Sequence, residues 1–453
     1  MRVCHGFAAL FDDPNLVSCG GLAPALALAE RAGLQRLAGE HVRIDKPGGR
    51  FAEVKVSALV AGMVAGADSI EDMGLLRHGG MGRLFAGVRA PSTLGTFLRT
   101  FTFGHVRQLD AVASRLLVNL TGLAPLLPGA SELVYIDVDD TVRQTYGYAK
   151  QGAGRGYTGV KGLNALIAAI STPTSAPVIA AARLRKGSTH SAKGAHRLVA
   201  DALVTAKAAG GSGVRVLRAD SAFYSAEVIA AARRHNSRFS ITTRLDSAVR
   251  KAIAAIDPNS WTPIKYTNAI FDDDQQRWIS DAEVAETSYT AFTSKGKNKQ
   301  VSARLIVRRV PDLNPANQSE LFTAYRYHAV FTDSPLPMLE AERAHRAHAI
   351  VEQVIADLKN GPLAHLPSGR FWANSAWLVC ASIAFNLTRA AGTLASALHS
   401  RATTATIRAQ LINVPARLAR SARRLTLHLP TNWPWERGWQ RLLAGSTGPP
   451  LAA

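Results

Sequence analysis

From residue 22 to about 130 the apolar positions, mostly Ala, Leu and Val, recur at helical spacing. The turn signals Pro47-Gly48-Gly49 and Gly79-Gly80 interrupt them, so the pattern predicts a helical N-terminal region over 1–130. Within it RAPSTLGTFLRTF (89–101) predicts a helix start at Pro91, with Ser92 or Thr93 as N-cap. Arg83, Arg89, Arg99 and His105 accompany that helix, as in a small DNA-binding unit or in a plain solvated basic face.

At 132 the pattern changes to strands alternating with helices. LVYIDVDD, PVIAAARLRK (177–186), VRVLRAD (214–220) and RFSITTRL (238–245) predict strands, and 192–210 and 225–236 predict helices, the second capped by Ser225. Such alternation predicts an α/β layer with a mainly parallel core. Between 246 and 335 the period becomes two, in VSARLIVRRV and LFTAYRYHAVF, which predicts a β-rich insertion with Lys295, Lys297 and Lys299 in a polar turn. A long helix over 339–361, stopped by Gly361-Pro362, opens a segment, 336–400, that returns to the core. Residues 376–398 are the most apolar stretch, but Asn386 and Arg389 break it, so it predicts a buried helix and no bilayer span. Residues 401–453 form a basic C-terminal region, expected to be helical.

Charge sharpens this reading. The 453-residue chain carries 53 Lys and Arg against 33 Asp and Glu, a formal charge of +20. That excess suits a polyanionic partner. From Gly361 to the end there are ten Arg, no Lys and one acid, Glu436. The three cysteines, Cys4, Cys19 and Cys380, lie far apart and form no CxxC pair, so they suggest neither a disulfide framework nor a zinc knuckle and fit a reducing compartment. The N-terminus is too polar for a signal peptide, so a cytoplasmic protein without membrane contact is expected.

The candidate chemistry lies in acids. In LVYIDVDDT strand alternation puts Asp137 and Asp139 on one face and Asp140 on the other. Paired carboxylates at a strand's end suit a hard divalent cation; the plain reading is a turn or cap. Asp220 again ends an apolar strand, where ligand sites of α/β sheets gather. Glu352 stands among Ile350, Val351, Val354 and Ile355, seven residues before Lys359. Three such carboxylates can hold two Mg²⁺ ions, about 3.5–4 Å apart, around a phosphodiester.

With these segments in view, the chain resembles a DDE transposase of a bacterial insertion sequence, most closely the insertion-sequence family numbered thirteen-eighty. PSTLGTFLR (91–99), YIDVDDT (135–141), LRADSAFYS (217–225), the stretch 348–387 and RSARRLTLHLPTNWPW (420–435) carry the resemblance. It implies an RNase H-like catalytic core over 131–245 and 336–400, interrupted by the β-rich insertion. Asp139, Asp220 and Glu352 would be catalytic and hold two Mg²⁺ ions, which Mn²⁺ can replace. Around the glutamate the family signature Tyr-x2-Arg-x3-Glu-x6-Lys keeps its spacing, but His345 and His348 stand for the Tyr and Arg, before Glu352 and Lys359. Lys359, His348, His345 and Arg99 would contact DNA.

The implied reaction is cut-and-paste transposition through a hairpin intermediate, on double-stranded DNA at terminal inverted repeats and target sites, by a homodimer in the synaptic complex, in the nucleoid-associated cytoplasm. Between Asp220 and Glu352 lie enough residues for the insertion of hairpin-forming relatives, where Trp261, Trp278 or Tyr325 would stack a flipped base.

Three other readings compete. LVYIDVDDT fits the opening motif of haloacid dehalogenase-like phosphatases, with Asp137 as nucleophile and Asp139 as acid/base, though no G-D-x3-D follows. His345, His348 and Glu352 at i, i+3 and i+7 could ligate zinc on one helical face. A DNA-binding protein without cleavage activity is the third.

Overall fold

A computed structural model describes residues 6, 8–147, 149–156, 158–272, 277–312, 324–422 and 424–448, with the side chains of 266–272, 277, 278 and 280 left undescribed. The chain folds as two units, Met1–Leu126 with Asp357–Ala453, and Leu127–Ala356.

The N-terminal part of the first unit comprises β1 (Leu16–Val17) and helices α1 (Leu22–Arg31), α2 (Leu34–His41), α3 (Ala52–Ala65), α4 (Met81–Leu84), α5 (Pro91–Arg99) and α6 (Phe103–Leu123). Helix α5 starts with Pro91 in its first turn, where a missing N–H costs nothing, but its N-cap is Ala90 and no side chain caps it. The expected caps Ser92 and Thr93 are helical residues. Helix α6 is capped instead by Thr102, which exchanges hydrogen bonds with His105.

The second unit is built on one ten-stranded sheet. Its strands are β2 (Leu133–Gln144), β3 (Gly154–Arg155), β4 (Lys161–Ser171), β5 (Val178–Lys186), β6 (Val214–Ala219), β7 (Arg238–Thr242), β8 (Thr262–Asp272), β9 (Arg277–Ala291), β10 (Val301–Pro311) and β11 (Tyr325–Thr332). Helices α7 (Ala195–Ala208), α8 (Ala226–Arg234), α9 (Ser247–Ala254), α10 (Met338–Arg346) and the first part of α11 (Ile350–Lys359) accompany them. The strand order is β3-β4-β2-β6-β7-β11-β10-β9-β8, with β5 paired to β4.

Two expectations change here. The core is mixed: β2, β6 and β7 are mutually parallel, while β4 and β11 run antiparallel to their neighbours. The sequence pattern assigns no element to β4, because KGLNALIAAIS is buried along almost its whole length and so shows no alternation. Moreover, residues 246–335 do not stand apart as an insertion domain. Strand β11 pairs with β7, Phe331 opposite Ile241, so the β-rich stretch extends the same sheet.

The chain returns to the first unit through α12 (Phe371–Ala395), α13 (Ala397–Arg401), α14 (Thr404–Ile407), β12 (Ala416–Ser421), β13 (Arg424–His428) and α15 (Glu436–Ser446). Helix α12 is the one described helix long and apolar enough to cross a membrane, and it is buried by α3, α5, α6 and α15. A helix apolar on all sides needs neighbours on all sides, which is why 371–400 joins the N-terminal helices and not the sheet. Residues 401–453 are likewise not a separate helical region: β12 and β13 form a hairpin that pairs with β1.

Candidate active site

Strand register brings the first two acids level. In the parallel pair β2 and β6, Val138 lies beside Ala219, so Asp139 and Asp220 follow at the same height. Strand β6 ends there, and Asp220 caps a short 3-10 turn, Ser221–Phe223, accepting from the Ala222 N–H at 3.0 Å. Asp139 accepts from the N–H of Asp140 at 2.7 Å. Glu352 stands exposed in the first turn of α11.

Burial pushes the Asp139 carboxyl up to about 7, and the charges of Asp220, Asp140 and Glu352 add to it against the Asp140 amide. Asp220 is also raised, by burial first and by Asp140, while its amide partners and the charge of His348 pull it down. The three predicted acids therefore share one electrostatic neighbourhood. None of them has an Arg or Lys within ion-pair distance among the described residues.

The two intervening acids differ. Asp137 is 1% exposed, and both its oxygens accept from Arg218, Nε to Oδ1 and Nη2 to Oδ2, each at 2.7 Å. Arg218 also lies over the Tyr135 ring, 3.7 Å from its centre, and donates through Nη1 to the Ala344 carbonyl at 2.6 Å. A carboxylate so enclosed attacks no phosphate, which removes the phosphatase reading of Asp137. Asp140 does not cap or turn the chain, because β2 runs on to Gln144. It pairs with buried Arg185, whose guanidinium also reaches Asn164 Oδ1 at 2.9 and 2.7 Å and the carbonyls of Ser191 and Lys193 at 2.7 and 3.0 Å.

The expected DNA contacts fare unevenly. His345 is 3% exposed and fixed between Ser240 Oγ (3.0 Å, at Nδ1) and Thr242 Oγ1 (2.9 Å, at Nε2). Burial, then the charges of His348 and Arg218, hold it well below the usual histidine range. Buried and with both ring nitrogens already engaged, His345 offers neither a surface to DNA nor a free nitrogen to zinc, and both readings of it are corrected. The predicted continuous helix is broken at this point: α10 ends at Arg346, Ala347–Ala349 form a 3-10 turn, and α11 begins at Ile350. His348 Nδ1 lies 2.7 Å from the His345 carbonyl in that turn and is half-buried. Lys359 is half-buried in the last turn of α11, and Arg99 is exposed at the end of α5, donating to Thr96 Oγ1 at 3.0 Å.

Trp261 and Tyr325 are half-buried and already stacked, with the Arg309 guanidinium 4.0 and 4.3 Å from their ring centres and bound to Glu283 at 2.7 Å. The side chain of Trp278 lies outside the described residues.

Sequence reasoning missed Arg218 and Arg185. The signal for Arg218 was a cation inside the apolar strand VRVLRAD, two residues before Asp220. Its partner became visible only with the register that sets Asp137 beside it.

A divalent cation fits this donor set. The charges of Asp220 and Glu352 raise the proton affinity of Asp139, and a hard cation is what such carboxylates take. They are neighbours and not a finished cage, since among the described residues no three His, Cys, Asp or Glu side chains already converge on a common ion position. No curated protein is similar enough to the chain to be matched with it. The family described as Transposase DDE domain group 1 matches residues 7–445, nearly the whole length.

Proposed function

The chain belongs to the family of group 1 DDE-domain transposases, and from that premise we propose that it moves a bacterial insertion sequence by cut-and-paste, cutting DNA with Asp139, Asp220 and Glu352. The observation that carries the reading is the contrast among the acids. Asp137 and Asp140 are neutralised by buried arginines, whereas Asp139 and Asp220, level where the pairing of the parallel strands stops, and Glu352 have no such partner among the described residues.

The same three carboxylates would hold the divalent ions that DDE domains use, proposed here as two Mg²⁺ with Mn²⁺ able to replace them. When bound, these ions neutralise charge on the attacked phosphate and favour the oxygen nucleophile. The residues do the rest. The carboxyl group of Asp139, pushed up to about 7 by burial, would release whatever proton it holds on binding a cation. Asp220 is kept in place by the Ala222 amide, so its oxygen stays beside Asp139. In the first step a water oxygen forms a bond to phosphorus as the 3′ oxygen leaves and takes up a proton. That freed 3′-OH then attacks the phosphodiester opposite, closing a hairpin as the flanking strand's 3′ oxygen leaves with a proton. Water reopens the hairpin and restores the 3′-OH, which attacks a target phosphodiester and expels its 3′ oxygen.

The half-sheet of β2, β4, β5, β6 and β7 corresponds in this reading to an RNase H-like core, and the enzyme to the insertion-sequence family numbered thirteen-eighty. Terminal inverted repeats and target DNA are its partners, a homodimer joins the two ends, and it works in the cytoplasm at the nucleoid. His348, Lys359 and Arg99 remain proposed DNA contacts.

The test is excision of the element from a plasmid carrying the gene with its flanking DNA. Asp139→Ala, Asp220→Ala and Glu352→Ala should each abolish excision while DNA binding survives. Excision at the wild-type rate by any of them would remove that residue from the chemistry. A wild-type protein that binds the flanking DNA and cuts it with neither Mg²⁺ nor Mn²⁺ would support the non-cleaving reading instead.

A further inference from the structure

Two basic side chains meet at the edge of the sheet where the acids stand, although their strands are far apart. His190 lies in the loop after β5, and Arg244 lies two residues past β7. Strands β4, β2 and β6 separate β5 from β7, so four inter-strand steps of about 4.8 Å, roughly 19 Å in all, divide the two elements. Nevertheless Arg244 Nη2 donates to His190 Nε2 at 3.4 Å. The contact therefore crosses β2 and β6 beyond their last paired residues, Val138 and Ala219, after which Asp139, Asp140 and Asp220 follow.

The loop is held there from below. Arg185 spends one guanidinium on Asp140, on Asn164 and on the carbonyls of Ser191 and Lys193, so a single buried cation separates the loop backbone from Asp140, whose charge is felt by Asp220. With its carbonyls turned inward, the loop leaves His190 and Lys193 exposed, as Arg244 is. Arg183, on the same strand as Arg185, is neutralised by Asp201 at 2.9 Å. His190, Lys193 and Arg244 have no carboxylate partner among the described residues.

We propose that Lys193 and Arg244, the latter steadied by the His190 ring, form a cationic rim that grips phosphates of the DNA strand lying across the acids, flanking the phosphodiester to be cut. This rests on the transposase reading above and adds a substrate-binding site to it. The physical need is plain: three carboxylates repel a polyanion, and fixed positive charge beside them offsets that repulsion and sets the strand's register. Arg and Lys contacts to phosphate carry no sequence preference, so the rim serves any target.

The test uses the full chain and a fluorescein-labelled duplex carrying the DNA that flanks the gene, with Ca²⁺ present to allow binding without turnover. Affinity is measured against salt for wild type, Lys193→Gln, Arg244→Gln and Asp139→Ala, with melting followed in parallel. Removing one phosphate-binding cation should flatten the slope of log affinity on log salt by about 0.9. Lys193→Gln and Arg244→Gln should show that flattening with unchanged melting, since both side chains are exposed, and should slow plasmid nicking in Mn²⁺. Wild-type slopes in both variants, alongside an Asp139→Ala protein that binds but does not nick, would overturn the rim and leave the transposase reading intact. A wild-type chain with no salt-dependent affinity and no nicking would overturn both.

Discussion

Arg218 and Asp137 face each other across β6 and β2 and join through two hydrogen bonds of 2.7 Å, fully inside the protein. The third donor of the same guanidinium holds the Ala344 carbonyl in the last turn of α10. One side chain thus ties together the strand of Asp139, the strand of Asp220 and the helix that precedes Glu352. Removing one partner leaves an uncompensated buried charge, so Arg218→Ala or Asp137→Ala should cost about 3–5 kcal/mol. The double variant Arg218→Met, Asp137→Leu should recover much of that stability but not nicking. Denaturant unfolding and a plasmid nicking assay together check the prediction.

The raised carboxyl of Asp139 sets a pH dependence. Its ordinary value is 3.8 and its value in the fold is about 7, so between these the folded protein keeps a proton that the unfolded chain has released. For the metal-free protein the resulting cost is absent at low pH, grows through that window and is complete above about 7. Asp139→Asn should therefore raise the melting temperature at about pH 8 and leave it nearly unchanged at about pH 4. Added Mg²⁺ should stabilise wild type at the higher pH only, and the variant much less. A gain from Asp139→Asn that did not vary with pH would contradict this origin.

His345 separates a structural role from a DNA contact. His345→Ala deletes a buried ring and strands the hydroxyls of Ser240 and Thr242, so melting should fall clearly. The salt dependence of DNA affinity should stay at the wild-type slope, because the imidazole carries no charge there. A flattened slope would put the side chain back at the DNA.

Inside the first unit, Trp377 is fully buried in α12 and donates from Nε1 to the Pro362 carbonyl at 2.6 Å. Trp377→Ala should cost about 3–5 kcal/mol, through the loss of apolar burial and an unpaired carbonyl. Trp377→Phe should cost less, and denaturant unfolding ranks the two.

The sequence by itself determined much of this protein. Periodicity marked the helices of the N-terminal part, the strands that end at Asp220 and near Thr242, and the buried α12, because each buries one consistent set of apolar positions. Acids set against apolar runs also drew attention to Asp139, Asp220 and Glu352, and the family resemblance made them the candidate triad. Long-range pairing decided the rest. Strand β4 was hidden because a strand covered on both faces reads as a featureless apolar run. The β-rich stretch looked like a separate insertion until β11 paired with β7. The fates of Asp137, Asp140 and His345 depended on partners 81, 45 and 105 residues away, Arg218, Arg185 and Ser240. Only register and packing choose which buried polar group receives its counter-charge, and local spacing carries no record of that choice.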